Sequence, residues 1–478
     1  MSYINIINSG VLRKCKKNPR YFTDDSGKAI YLTGSHTWAT FQDTIPYEGE
    51  KQEEKAFDYD KYLFFMKEHN HNFLRMWCRE SGFGGFGNGM TYPVAYKQVK
   101  NEDGKIRFDL KKLNPEYFDR LRARVIKAGE AGIYVSIMLF EGWSVDTRSR
   151  SPWYGHPYNK GNNINNIDGN PSSDHAIITL SQENDKNIFK PDEFIKVHTL
   201  EIPEITALQK NYVKRVVETL NDLDHVMYEI CNEAFRWSRY WQYEMINYIQ
   251  EIEKGLPKSH PVWMSHIVPA QNESLYVSNA DAISPGVEST SKDYCINPPA
   301  SDGRKIIIAD TDHLGGIWGT AQWVWKTFMR GINPIFMDTY NQPDNIEIDG
   351  NNNVGPISSL FGRTQYELPD DWQEPVRVAM GQTLDFAKRI DLTNMIPYND
   401  LSSTGYCLAN PGMEYLIYQP EAGQFKLSLY GAEGPFVVEW FNPHTGEKIA
   451  GRSFKGGMAI EFTPPYQGEI VLYLKSKS

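Results

Sequence analysis

Eight short apolar runs, most of them followed by a helical pattern, restrict this chain more than any other feature. They lie at 29–33, 72–80, 133–143 and 224–234, then at 262–268, 282–287, 305–313 and 333–340. Helical spacing fills most of the gaps. In LNPEYFDRLRARVIKAGEAG, Asn114 suits an N-cap, Pro115 the first helical position and Gly132 the stop. A helix is predicted over 204–222, and AQWVWKTFMRG forms another closed by Gly331. Eight strands alternating with helices predict a (β/α)8 TIM barrel. A doubly wound sheet is the alternative. No GxGxxG or Walker A loop follows any of the strands.

In such a barrel, chemistry gathers at the C-terminal ends of the strands. In chain order those ends offer His36 and Trp38, Arg75 and Trp77, Glu141 and Trp143, then Asn232 and Glu233. His266, Glu288, the trio Asp310, Asp312 and His313, and finally Asp338 and Tyr340 complete the series. Glu233, in YEICNEA, suits a general acid if its surroundings raise its pKa, and Asn232 suits a hydrogen bond to a sugar hydroxyl. The plainer reading makes Asn-Glu-Ala the start of the next helix, with Asn232 as its cap.

Cleavage of a glycosidic bond needs two carboxylates flanking it. ADTDH supplies Asp310 and Asp312, and strand alternation puts Ile306, Ile308 and Asp310 on one face with Asp312 continuing the line. Asp310, Asp312 and His313, with His266 and Glu288 nearby, also fit a divalent cation. Glu288 is a third choice of carboxylate. Arg75 suits an ion pair that keeps the nucleophile charged, or a buried pair with no catalytic part. His36, Trp38, Trp77, Trp143 and His266 together suit a sugar pocket. Trp318 belongs with them, whereas the spacing of Trp323 and Trp325 is that of helix packing.

The chain has 478 residues, enough for a large domain and a smaller one. The pattern changes near residue 395. Short alternating runs such as EYLIYQP, FVVEWFNPHTG and GEIVLYLKS predict a small all-β sandwich. The division expected is 1–394 for the barrel, with an N-terminal hairpin around Asp25-Ser26-Gly27-Lys28 and a long loop at 144–200, and 395–478 for the sandwich. A net charge of -10 argues against a nucleic-acid partner. No run of 18 apolar residues is present, so no membrane-spanning helix is expected. The opening MSYINIINSG lacks signal-peptide features, and the five scattered cysteines show neither a disulfide framework nor metal spacing. The expectation is a cytoplasmic protein, or a secreted or periplasmic one whose signal has been removed. No cofactor and no metal are expected.

YEICNEA resembles the Asn-Glu motif of the clan A glycoside hydrolases. YFTDDSGKAIYLTGSHTW, NFLRMW, DLDHVMYEICNEA and ADTDHLGGIWGTAQWVWKTFMRGINPIFMD resemble the DUF4038-type (apiosidase-like) proteins. WFNPHTG and GEIVLYL are similar to the collagen-binding-type sandwich that follows the barrel in those proteins. The resemblance spans nearly the whole chain, apart from 144–200 and 341–368. It implies a glycoside hydrolase with Glu233 as acid/base, Asn232 as its neighbour and Asp310 where the clan has its strand-seven Glu nucleophile; the expectation is an exo-acting or side-chain-cleaving, retaining enzyme, with the long insert and the 341–368 loop shaping a pocket. Asp is one methylene shorter than Glu, which bears on the carboxylate spacing. The substrate expected is a complex polysaccharide or oligosaccharide. The alternatives are a non-catalytic carbohydrate-binding protein on a degenerate barrel, or a metal-dependent hydrolase or lyase using Asp310, Asp312 and His313.

Overall fold

The computed structural model describes residues 9–45, 56–83, 90–102, 104–145, 152–171, 195–288, 293–340 and 371–477. The opening stretch 1–8, most of the 144–200 insert and the 341–368 loop lie outside the described residues.

Seven of the eight apolar runs supply strands of one parallel sheet; the first run, 29–33, does not, since Ala29–Ile30 belongs to the N-terminal hairpin and the barrel strand begins just after the run, at Gly34. The strands of the sheet are β1 (Gly34–His36), β2 (Phe73–Met76), β3 (Tyr134–Glu141) and β4 (Val226–Asn232), then β5 (Val262–Ser265), β6 (Ala282–Ser284), β7 (Ile306–Asp310) and β8 (Asn333–Met337). Hydrogen bonding runs from β2 through β3 to β8 and on to β1. The seam between β1 and β2 is closed by Asn72. Its backbone N–H donates to Thr33 (3.0 Å), its side-chain oxygen accepts from the Thr33 N–H (3.0 Å), and its amide donates to the Tyr31 carbonyl (2.8 Å). The result is a closed (β/α)8 barrel. The hairpin forms as the turn residues predict, with Phe22–Thr23 antiparallel to Ala29–Ile30.

The connecting helices include α1 (Tyr59–Glu68), α2 (Pro115–Glu130), α3 (Pro203–Leu220) and α4 (Arg239–Glu253). Shorter segments follow, α5 (Asn272–Tyr276), α6 (Asp293–Ile296) and α7 (Thr311–Leu314), and then α8 (Ala321–Met329) and α9 (Glu374–Arg389). Asn114 caps α2 by accepting from the Glu116 N–H, and Pro115 opens the helix. Inside the barrel, Phe73, Met227, Trp263, Ile306, Ile308 and Ile335 form an apolar layer. Outside it, one continuous core joins strands and helices. No helix among the described residues is long and apolar enough to cross a membrane.

The C-terminal unit is an antiparallel sheet of six strands. In spatial order these are Ile396–Pro397, Cys407–Asn410, Glu414–Gln419, Ile470–Ser476, Pro435–Phe441 and Lys448–Lys455. The pair Phe425–Ser428 and Ala459–Phe462 shares its apolar core. The sandwich packs on α8 and α9. Trp325 stacks on Tyr418 at 5.9 Å between ring centroids, and Phe386 meets Phe441 at 5.2 Å. Trp323 and Trp325 are both buried helix-packing residues, as their spacing predicts.

Candidate active site

The centre of the barrel mouth is Arg75, on β2, with no exposed surface. Its guanidinium has five N–H donors in a fixed fork, and five acceptors meet them. Nε donates to Glu229 Oε2 (2.6 Å), while Nη2 donates to Glu229 Oε1 (2.7 Å) and Asn232 Oδ1 (2.6 Å). Nη1 donates to Asp310 Oδ2 (3.2 Å) and Asp312 Oδ2 (2.8 Å). The cation also lies over Trp77, 5.0 Å from the ring centroid. The bidentate partner Glu229 was not among the residues singled out from the sequence. It lies two residues beyond Met227, which faces the barrel interior, so strand alternation pointed inward there as well.

Asp310 ends β7, and the strand does not continue to Asp312 as alternation predicted. Asp310 turns the chain instead, capping the one-turn helix α7 by accepting from the Asp312 N–H (2.9 Å). Asp312 reaches the same guanidinium from inside that helix. Burial disfavours charge on Asp310, but His36 and Arg75 outweigh it and hold the carboxyl well below the usual range. Asp312 is shifted the opposite way, by burial first and with Asp310 as a like charge. The pair therefore holds its charge unequally, more firmly on Asp310 than on Asp312. The Asp310 side chain is 0% exposed and that of Asp312 is 6% exposed.

Two histidines are fixed by their neighbours. The Trp77 indole donates to His36 Nδ1 (2.9 Å), so the proton is on Nε2 and faces Asp310 Oδ1 (2.8 Å). His313 lies between the Ser284 hydroxyl at Nδ1 (2.7 Å) and Asn232 Oδ1 at Nε2 (3.0 Å). Burial, then His266, hold His313 far below its ordinary pKa, so it is neutral and donates from Nε2. With two donors on Oδ1, the Asn232 amide has one orientation, with its NH2 as the donor end. His266 packs edge-on to His313 at 4.6 Å, and burial lowers its pKa to about 4.

Glu233 follows the last residue of β4 and is half-buried. The helix-start reading does not hold: Ala234–Phe235 pairs with Ile267–Val268, and α4 begins only at Arg239. Glu233 has φ +42°, left-handed backbone that is rare away from glycine. Gly142, just after β3, makes room for it, since a Cβ there would lie 2.4 Å from the Glu233 carbonyl oxygen.

The aromatics are spread around this centre. Trp38 is 6.2 Å from Trp77, Trp143 is half-buried in the turn after β3, and Trp318 sits against Trp372 at 4.8 Å. Glu288 stands apart from the Arg75 cluster. Its Oε1 accepts from the Asn272 N–H (2.7 Å) beside a separate cavity.

A second ionisable group, of which the sequence offered only Glu141, lies at the end of β3. Glu80 accepts from His198 Nε2 (2.9 Å) and from the Glu141 N–H (2.8 Å), and faces His156 Nε2 at 3.4 Å. Burial opposes its charge, but His198 and His156 prevail and lower it to about 2. Glu141 goes the other way, raised by burial to about 7.

Asp310, Asp312 and His313 have ligand atoms within 4.8 Å of one another, the one such group of three or more among the described residues. They do not fit a cation. The Arg75 guanidinium bonds the facing oxygens of both aspartates, and both His313 nitrogens are engaged.

Residues 393–474 match the family model described as "Putative collagen-binding domain of a collagenase". No curated protein matches the chain. Among solved structures, a protein described as a glycoside hydrolase is 11% identical with a TM-score of 0.60, covering 100% of this chain and 99% of its own. A glycoside hydrolase family 5 protein of Bacteroides vulgatus ATCC 8482 is 12% identical with a TM-score of 0.63, covering 99% of this chain and 94% of its own. The fold is that of glycoside hydrolase barrels. At such identities the likeness extends to both the barrel and the sandwich, and to the fold alone.

Proposed function

We propose that this chain is a glycoside hydrolase acting on a complex polysaccharide or oligosaccharide, exo-acting and retaining, with Glu233 as acid/base and Asp310 as nucleophile. The observation that supports the reading is the placing of Glu233 just past the end of β4 in the same barrel whose β7 ends in an arginine-bridged carboxylate pair. Glu233 protonates the leaving glycosidic oxygen while Asp310 attacks the anomeric carbon. Water, deprotonated by Glu233, then releases the sugar from the ester. Asp310 is held ionised by His36 and Arg75, as a nucleophile must be. The burial of Asp310, His313 and His266, with the Asp312 side chain 6% exposed, supports a recessed site that takes a chain end.

One observation favours a second reading of the nucleophile. Asp310 spends its oxygens on His36, Arg75 and the α7 cap, whereas Asp312 retains the exposed surface. In that reading Asp312 attacks and Asp310 supports it.

The test is azide rescue on a cleaved substrate. The glycine variant of the nucleophile regains turnover with azide and releases a glycosyl azide, and only one of Asp310→Gly and Asp312→Gly does so. Glu233→Gln loses about 10²–10⁴-fold in rate on substrates with poor leaving groups. Full activity in Glu233→Gln overturns the reading. Unchanged activity with chelator present is expected, and its loss favours a metal-dependent enzyme instead.

A further inference from the structure

We infer that Trp77 and His36 are positioning residues for Asp310: the Trp77 indole sets the tautomer of His36, and His36 pins one Asp310 oxygen so that the other attacks. The inference rests on the reading of Asp310 as nucleophile and adds how that side chain is aimed. His36 has no exposed surface and Trp77 is 2% exposed, so each acts through the groups it touches. The Trp77 ring has the Arg75 guanidinium 5.0 Å from its centroid and the His36 ring at 5.9 Å, tilted by 25°.

The hydrogen bonds run in one direction. An indole N–H is a donor only, and that of Trp77 meets His36 Nδ1 (2.9 Å). Nδ1 must accept, so the ring carries its proton on Nε2, which donates to Asp310 Oδ1 (2.8 Å). A second proton, on Nδ1, would set one N–H against another. The tryptophan is itself held. Its backbone N–H donates to the Thr40 hydroxyl (3.1 Å), which donates in turn to the Thr37 carbonyl (3.2 Å). The His36 carbonyl accepts from the Asp338 N–H (2.8 Å). The relay therefore hangs on the ends of β1, β2 and β8, which the barrel fixes.

Asp310 receives its bonds unequally. Oδ1 takes two short ones, from His36 and from the Asp312 N–H (2.9 Å). Oδ2 takes the longer bond, from Arg75 Nη1 (3.2 Å). Fastening Oδ1 stops the carboxylate from turning, so orientation is settled before the reaction begins. Oδ2 then forms the bond to the anomeric carbon as the glycosidic C–O bond breaks. The electron pair of that bond passes to the leaving oxygen, which takes the Glu233 proton. Oδ1 becomes the carbonyl oxygen of the ester, and the uncharged His36 donor serves it there as well.

The experiment has two arms. In the first, NMR of the chain labelled with nitrogen isotope in its histidine rings reads the signal that vanishes in His36→Gln. One bare and one protonated nitrogen are expected at neutral pH, with the proton on Nε2. Trp77→Phe keeps a ring and removes the N–H, and is expected to release that single tautomer. A proton on Nδ1, a proton on both nitrogens, or a signal indifferent to Trp77→Phe overturns the inference. The unaltered chain alone decides the tautomer, so this arm stands even where Trp77→Phe does not fold. The second arm follows para-nitrophenyl glycosides under single-turnover conditions. Trp77→Phe lowers the maximal rate about 3–10-fold, the worth of one hydrogen bond, and leaves the half-saturating concentration little changed. In a His36→Gln chain the same substitution costs nothing further, because its effect passes through His36. A weaker half-saturation in place of a slower rate marks a sugar contact, and equal losses in both chains mark a merely structural residue; either overturns the inference. The two readings also fail separately. Azide rescue in Asp312→Gly alone removes Asp310 as nucleophile, and attack through Oδ2 with it, while the tautomer lock stands. Azide rescue in Asp310→Gly with a rate indifferent to Trp77→Phe removes the positioning alone.

Discussion

Arg75 neutralises part of a buried group of three carboxylates, Glu229, Asp310 and Asp312. Removing one partner of a buried ion pair strands the others in low dielectric, at a cost of about 3–5 kcal/mol. Arg75→Met is therefore expected to lower unfolding free energy by that amount in urea titrations as well as abolishing turnover. A loss below about 1 kcal/mol would mean the carboxylates take up protons freely instead. Glu141 makes a prediction about pH. Its folded pKa of about 7 is above the ordinary 4.5, so between those values the folded chain keeps a proton that the unfolded chain releases. Stability then falls as pH rises through that window and levels off above it. Glu141→Gln should flatten the decline between pH 5 and 8 by about 3 kcal/mol, read from denaturation midpoints at each pH.

At the scale of elements, β3 and β4 meet where Gly142 faces the Glu233 backbone. Gly142→Ala forces that contact apart, so kcat should fall about tenfold or more while KM and melting temperature change little. Equal loss in Gly34→Ala would point to general barrel damage instead. Seven of the eight strands were plain in the sequence, because a parallel strand covered on both faces reads as an unbroken apolar run; the first, Gly34–His36, carries no such run and lies just past the one read at 29–33. The residues at the strand ends were plain as well, since the barrel fixes where those ends point. The Arg75–Glu229 pair was half legible: the arginine shows as a charge in an apolar run, whereas Glu229 sits inside YEICNEA, where the adjacent Asn232 and Glu233 are more conspicuous. The departure of Asp312 from the strand line could not be read, because it depends on Asp310 capping a one-turn helix. The Glu80 group was hidden for another reason: His156 and His198 come from distant parts of the insert and meet only in the folded chain.

For the whole molecule, barrel and sandwich share apolar contacts through Trp325, Tyr418, Phe386 and Phe441. An interface of this kind couples unfolding, and scanning calorimetry should record one transition for both parts. Trp325→Ala is expected to destabilise by about 3–5 kcal/mol and to split that transition in two; a single unshifted peak would show that the contact carries little. The clasp at Glu80 has a different consequence. His156 and His198 lie on either side of the insert's long middle stretch, and both are fastened to one barrel carboxylate. The described residues beside the two histidines are not free to vary either: Tyr158, Ile167, Ile195 and Val197 are buried with Tyr96 and Phe108, so the clasp also pins a small satellite core to the barrel wall.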